Sequence, residues 1–306
     1  MLRLNRIFLI LTCGMLLSGC FTGIESTPKI TDSEVRRQQP KTTPEDLYLK
    51  EIEESTPQMT IGKYLIVTDP KIRLVLDRSY SDTDLKEGDT LRLEKIDETV
   101  TFDGQRLSLL VFTDRNQRNY AYRTSISPEY FKKNPSVSVP FTVDLEKVDA
   151  VRRKMAGNTY YIMTSAHYDK SGNLVYGRRF VPVRITSVQP GNEYYPVRLD
   201  MSEVSGNAYS LYMSVDAPST MPRRFATLFS LSDPRLKYPT ISDSNWELIT
   251  EGKVAQGMTR EECRLALGVP DKVDRQPGYS ILHEVWSYNN GRLLVFEDGI
   301  LQSFRQ

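Results

Sequence analysis

Glu284-Val285-Trp286-Ser287-Tyr288, Asn290-Gly291, Leu293-Leu294-Val295-Phe296, Asp298-Gly299 and Ile300 to Phe304 form the stretch that decides the fold of the carboxy-terminal part. Three short runs rich in β-branched and aromatic residues are separated by dipeptides that tolerate positive φ, the signature of consecutive β-hairpins. Both dipeptides are read as two-residue type I′ turns, so the stretch is expected to fold as a three-stranded antiparallel meander.

Working outward towards the amino terminus, helix punctuation precedes the meander. Ser244-Asn245-Trp246-Glu247 and Thr259-Arg260-Glu261-Glu262 each fit a capping box, in which the hydroxyl and the carboxylate reciprocally satisfy free amide donors. Gly252 is placed to end the first helix. Met258 and Cys263 occupy the hydrophobic-staple positions around the second cap, and Leu267, Gly268 and Pro270 stop that helix. Two helices and a three-stranded meander are therefore expected over 244–306. Gly257-Met258-Thr259, Ala266-Leu267-Gly268, Pro270, Trp286, Tyr288, Phe296 and Gly299 resemble, in order and spacing, the BamE (SmpA/OmlA) family of lipoproteins. Cys263 departs from the pattern, standing where that family usually has an aliphatic residue. The resemblance spans about a fifth of the chain. It implies a helix-helix-meander fold, a non-enzymatic protein-binding module, and, more remotely, a role beside the β-barrel assembly machine or as an inhibitor of a secreted hydrolase.

Further upstream, two stretches alternate as β-structure. Residues 59–125 contain Tyr64-Leu65-Ile66-Val67, Leu91-Arg92-Leu93 and a hairpin signal at Asp103-Gly104. Residues 156–216 repeat the plan. Gly62 to Thr68 aligns with Asn158 to Thr164, which places Tyr64 against Tyr160. Leu91-Arg92-Leu93 aligns with Val183-Arg184-Ile185, Ile96 with Val188, and Asn119 to Tyr122 with Asn207 to Tyr212. Each copy resembles a small SH3-like barrel in size and strand spacing. The segment between them, 126–155, reads as a linker with one short helix, since Leu145, Val148, Val151 and Met155 recur at helical spacing. Residues 217–243 read as a proline-broken connector containing one strand-like run, Phe225 to Phe229. The fold class is thus α+β and β-rich: two tandem β domains followed by the helix-helix-meander domain.

The first residues carry a different message. Arg3 and Arg6 precede an apolar run from Ile7 to Leu17, within the roughly 7–15 residues of a signal-peptide core and short of the ~20 that span a bilayer. Leu17-Ser18-Gly19-Cys20 then resembles a bacterial lipobox, which implies that 1–19 is removed and that Cys20 carries lipid. Two or three acyl chains at about 0.8 kcal/mol per buried methylene hold such an anchor stably. The polar stretch 20–58 reads as a tether, with a short helix capped by Thr43 and opened by Pro44. Phe21 and the absence of an acidic neighbour beside Cys20 resemble outer-membrane sorting. The expected location is a lipid-anchored place in the cell envelope.

Charge and chemistry narrow the function classes. Removing Arg3 and Arg6 from the 40 basic residues leaves 38 against 39 acidic ones, which disfavours nucleic acid as a partner. Once Cys13 leaves with the signal and Cys20 is acylated, Cys263 is the remaining thiol and has no disulfide partner. The two histidines, His167 and His283, are too few for a metal cluster, and a Cys263–histidine dyad requires a thiol that the staple position buries. No phosphate loop or nucleophile elbow occurs. No catalytic residue, metal or cofactor is expected. Adjacent tyrosines at Tyr160-Tyr161 and Tyr194-Tyr195 present opposite faces of an extended chain, which makes one of each pair a candidate partner contact. Ordinary strand cores and edges use tyrosine in the same way, and that is the favoured reading. The expected function is a non-enzymatic envelope scaffold that binds the membrane through Cys20 and other envelope proteins through its domains. Peptidoglycan is the alternative partner.

Overall fold

The computed structural model describes residues 41–55, 57–77, 85–215, 222–277 and 282–305. Cys20, the signal segment and the first half of the expected tether lie outside the described residues. From Thr43 onward the chain forms one compact unit, β-rich with helices interspersed, in three antiparallel sheets.

The first sheet contains β1 (Tyr64–Val67), β2 (Thr90–Val100), β3 (Arg106–Thr113), β4 (Asn119–Arg123) and β5 (Thr142–Asp144), ordered β4-β3-β2-β1-β5. The second contains β6 (Thr159–Ile162), β7 (Ala166–Tyr168), β8 (Leu174–Tyr176), β9 (Pro182–Pro190), β10 (Val197–Glu203), β11 (Ala208–Met213) and β12 (Phe229–Ser230). Its order is β12-β6-β9-β10-β11-β7-β8. Without the β7-β8 hairpin, the two sheets have the same connectivity: a first strand lying between the second and the last, then the third and fourth.

The likeness extends to register. The Gly62 and Gly157 amides donate to the carbonyls of Leu93 and Ile185 at 2.7 and 2.8 Å. Glu94 bulges between the pairs Leu93↔Phe112 and Lys95↔Val111, and Thr186 bulges between Ile185↔Met201 and Ser187↔Asp200. Superposing these features pairs Tyr64 with Thr159 and Leu65 with Tyr160, one residue away from the alignment read in the sequence. Burial decides the matter: Leu65 and Val67 face one core, Tyr160 and Ile162 the other. A one-residue slip turns every side chain of a strand to the wrong face.

The third-to-fourth-strand turns also correspond. Asp114 donates its amide to Arg118 and accepts from Gln117; Glu203 donates to Asn207 and accepts from Gly206. This is a three-residue turn whose last position has positive φ. Gly206 adopts it at +93° and Gln117 at +61°. A side chain there costs about 1–2 kcal/mol. Part of that cost returns as glycine entropy in the unfolded chain. We therefore expect Gln117→Gly to stabilise the protein by about 0.5–1 kcal/mol, seen as a higher urea midpoint; a lower midpoint would show that the Gln117 side chain contributes more than the turn costs.

Three expectations about connections are corrected. The 126–155 segment is more than a linker: it supplies α3 (Pro128–Lys133) and strand β5 of the first sheet besides the expected helix, which forms as α4 (Leu145–Met155). Val148, Val151 and Met155 of α4 are fully buried in the second core with Leu199, Leu211 and Met213. Within 217–243, the strand-like run is a helical turn, α5 (Phe225–Leu228), followed by the two residues of β12. The expected tether is folded from Thr43 on. The short helix expected within it forms as read, Pro44–Tyr48 being α1, capped by Thr43 and opened by Pro44, and Lys50–Glu53 adds α2. Leu49 is buried in the second core beside Tyr48 and Ile52. Tyr48 shares a 2.6 Å hydroxyl contact with Tyr160, and Glu53 is paired with Arg224.

In the tail, α6 (Asp243–Thr250) starts two residues earlier than expected. Ser242 is the cap, its hydroxyl accepting from the Asn245 amide, while Ser244 and Glu247 lie inside the helix. Over α7 (Arg260–Leu267), the Thr259–Glu262 box forms as expected, with Met258 and Cys263 both fully buried. The sheet has four strands rather than three: β13 (Lys272–Pro277), β14 (Leu282–Ser287), β15 (Leu293–Glu297) and β16 (Ile300–Arg305). β13 escapes detection because Val273 is its one large apolar residue, so no alternation marks it. Asp298 and Gly299, at φ +47° and +85°, make a two-residue turn with the positive φ values of type I′, whereas Asn290-Gly291 belongs to a longer loop closed by Tyr288 and Arg292. Asp103-Gly104 likewise sits in a loop closed by Thr101 and Gln105.

Candidate interaction surfaces

At Cys263, nucleophile chemistry fails on burial. Cys263 is fully buried at the staple position, and the loss of solvent pushes its thiol up to about 12. We expect iodoacetamide to leave Cys263 unmodified at mildly alkaline pH until denaturant is added; rapid labelling of the native chain would place the thiol outside the core. The two histidines stay apart, His167 on β7 of the second sheet and His283 on β14 of the tail. His167 is fully buried, its Nε2 2.8 Å from the Thr164 carbonyl, and burial lowers its pKa. His283 lies 3.6 Å from Glu297. Among the described residues, no group of three or more His, Cys, Asp or Glu is arranged to hold a metal.

The tyrosine pairs do not both follow strand alternation: Tyr160-Tyr161 lie on β6, but Tyr194-Tyr195 lie in a bend whose amides donate to Asn192 Oδ1. Tyr160 is buried against Phe225 and Phe229, and its neighbour Tyr161 is half-buried. Tyr194 is 73% exposed at the β9–β10 turn, and Tyr195 is half-buried under the Arg223 guanidinium.

A partly enclosed site lies between the first sheet and α4. A cavity of about 200 Å³ is lined by Met59, Leu65, Val139, Val143, Asp144 and Lys147. Beside it Lys63, 2% exposed at its side chain, bonds Asp144 at 2.8 Å and Glu146 at 2.7 Å. Burial opposes the Lys63 charge most strongly, but the two carboxylates outweigh it and raise the pKa. The ammonium is thus held as a structural ion pair tying β1 to the start of α4, not as a proton donor.

A more open site lies on the tail, in a groove between α7 and the sheet. Arg260 and Arg264 reach it from one face of α7, four residues apart, and Arg275 reaches it from β13. Beneath them Glu284, 1% exposed, accepts from Arg260 at 2.9 Å and Arg275 at 2.8 Å through one oxygen. Its other oxygen has no hydrogen-bond partner among the described residues, nor has the buried indole nitrogen of Trp286. The Arg264 guanidinium stacks over Trp286, 5.3 Å from the ring centroid. Guanidinium groups over an aromatic floor suit carboxylate-bearing partners. Sequence reading missed this groove because β13 was missed, and with it Arg275. Arg260 and Arg264 alone resemble ordinary solvated helix residues.

Among the described residues, no helix is long and apolar enough to cross a membrane. No family model matches this chain, and no match to a curated protein was found.

Proposed function

We propose that this chain is a lipid-anchored lipoprotein of the cell envelope, placed at the outer membrane, that acts as a non-enzymatic scaffold for other envelope proteins. The observation that carries the reading is Cys20, set directly after a short apolar run and Leu17-Ser18-Gly19. An acylated Cys20 holds the folded body at a membrane surface, where a weak contact acts at high local concentration. The Arg260–Arg264–Arg275 groove over Trp286 supports binding, since arginine and tryptophan are the side chains that dominate interfaces. Two helices on an antiparallel sheet agree with the BamE-like reading of the tail. The strand order of the two upstream sheets, with the first strand between the second and the last, agrees with SH3-like barrels. That second likeness also favours a competing reading, in which the paired barrels grip peptidoglycan and the exposed Tyr194 stacks on sugar rings.

Labelled palmitate should enter the wild-type chain and not Cys20→Ala; equal labelling of both would remove the anchor. Cross-linking the full chain in intact envelopes should then recover defined protein partners, and recovery should fall when Arg264 is changed to Glu. Co-sedimentation with purified cell wall, without any protein adduct, would overturn the scaffold reading in favour of the glycan-binding one.

A further inference from the structure

The sheet edges are not equally protected. On the first sheet, β4 is covered where Leu76 bridges Tyr122 and the Asp77 amide donates to Ala121. On the second, β12 is closed by α1, whose Glu45 accepts the Leu231 amide. In the tail, residues 257–260 lie along β16, and β13 carries Lys272, Asp274, Arg275 and a terminal proline. Charge, proline and covering chain are the usual guards against edge pairing. Among the described residues the β8 edge has none of them: Leu174-Val175-Tyr176 is uncharged, and Leu174 and Tyr176 are 52% and 78% exposed.

The hydrogen-bond alternation fixes which groups face outward. Asp169 pairs with Asn173, and Gly177 donates to Ser165, so His167 and Val175 exchange the bonds between β7 and β8. The amides and carbonyls of Leu174 and Tyr176 therefore point away from the sheet. Two outward-facing residues flanking one inward-facing residue make a strand that is complementary to itself.

We propose that β8 pairs with the β8 of a second copy of this chain, antiparallel about a two-fold axis at Val175. In that register Leu174 lies opposite Tyr176 of the other copy in hydrogen-bonded pairs, twice over, placing an aliphatic chain against an aromatic ring. Val175 faces its own equivalent in a non-hydrogen-bonded pair, where Cα atoms come within about 4.5 Å. Gly177 lies opposite Asn173 and Arg178 opposite Gly172, so no like charges meet. A pair this short buries far less than the roughly 1,000 Å² of a stable interface. It forms where copies are crowded together, and cross-linking is the suitable measurement.

A cysteine at the axis reports the pairing, because about 4.5 Å between Cα atoms lies within disulfide range. Full-length Val175→Cys, mildly oxidised and run without reductant, should give a disulfide-linked dimer at least several-fold above the parent chain. Tyr194→Cys, more exposed than Val175 and away from the edge, should stay at the parent level. Adding Leu174→Lys and Tyr176→Lys, both at exposed positions, should return Val175→Cys to that level. The proposal is overturned if Val175→Cys gives no excess dimer, if Tyr194→Cys dimerises equally, if the lysines change nothing, or if Val175→Cys couples instead to a different protein.

Discussion

Trp286→Ala is expected to cost the tail about 3–5 kcal/mol, the range for removing a large aromatic from a packed core. Trp286 is 1% exposed and lies at the centre of the third core, its ring 4.6 Å from that of Phe296 and capped outside by Arg264. The change removes the contact between sheet and α7 and leaves a cavity that neither can collapse to fill. It also removes the floor on which Arg264 is oriented. Urea unfolding followed by circular dichroism measures the loss. Trp246→Ala is the comparison, since Trp246 is only partly buried on the same core and should cost less. A loss under about 1 kcal/mol for Trp286→Ala would mean that the core relaxes around the gap, contrary to its close packing.

The second large effect belongs to the amino-terminal arm. Glu53 is 6% exposed at its side chain and pairs with Arg224, itself 18% exposed, and Glu53 is the leading cause of the raised Arg224 pKa. Glu53→Ala leaves a largely buried guanidinium without its carboxylate, a change that costs about 3–5 kcal/mol when burial is complete. With Arg224 partly solvated, about 2–4 kcal/mol is expected. Replacing both residues, as Glu53→Leu with Arg224→Met, should recover much of the loss, because the cost lies in the uncompensated charge rather than in the lost contact. A tether would show neither effect: if Glu53→Ala unfolds at the wild-type midpoint, the arm does not contribute to the folded unit.

The arm shows how far composition misleads. Residues 44–53 are as polar as the stretch before them, yet Tyr48, Leu49 and Ile52 are spaced to place an apolar face on the second core. The Thr43 cap and Pro44 made the first helix legible, but helices of five and four residues are too short for the apolar face to stand out. Its partners, Tyr160 and Arg224, are more than a hundred residues away. The same limit hid β13, whose pairing with β14 supplies what its own residues do not. By contrast Thr259–Glu262, Met258 with Cys263 and Asp298-Gly299 were legible, because each acts within a few residues of chain.

The candidate surfaces follow the same division. The Arg275 contribution to the groove and the outward groups of β8 depend on which strands are neighbours, and no local pattern encodes that. The correspondence between the two upstream sheets was visible as sequence likeness; the Leu91–Leu93 with Val183–Ile185 alignment was in register, whereas the register of the first strands was one residue out. Only the shared bulge at Glu94 and Thr186, with the burial of Leu65 and Tyr160, sets it.

The sequence by itself determined the Thr43 and Thr259 caps, the Asp298-Gly299 turn, the β-rich character of both upstream stretches and the expectation of a lipid at Cys20, since each rests on a few adjacent residues. Tertiary structure decided the rest: that α4 serves the second core, that the arm from Thr43 is folded, and that β8 is an edge left unguarded by the described residues. Those outcomes depend on long-range burial and on which backbone groups find partners, and neither quantity exists until the strands are brought together.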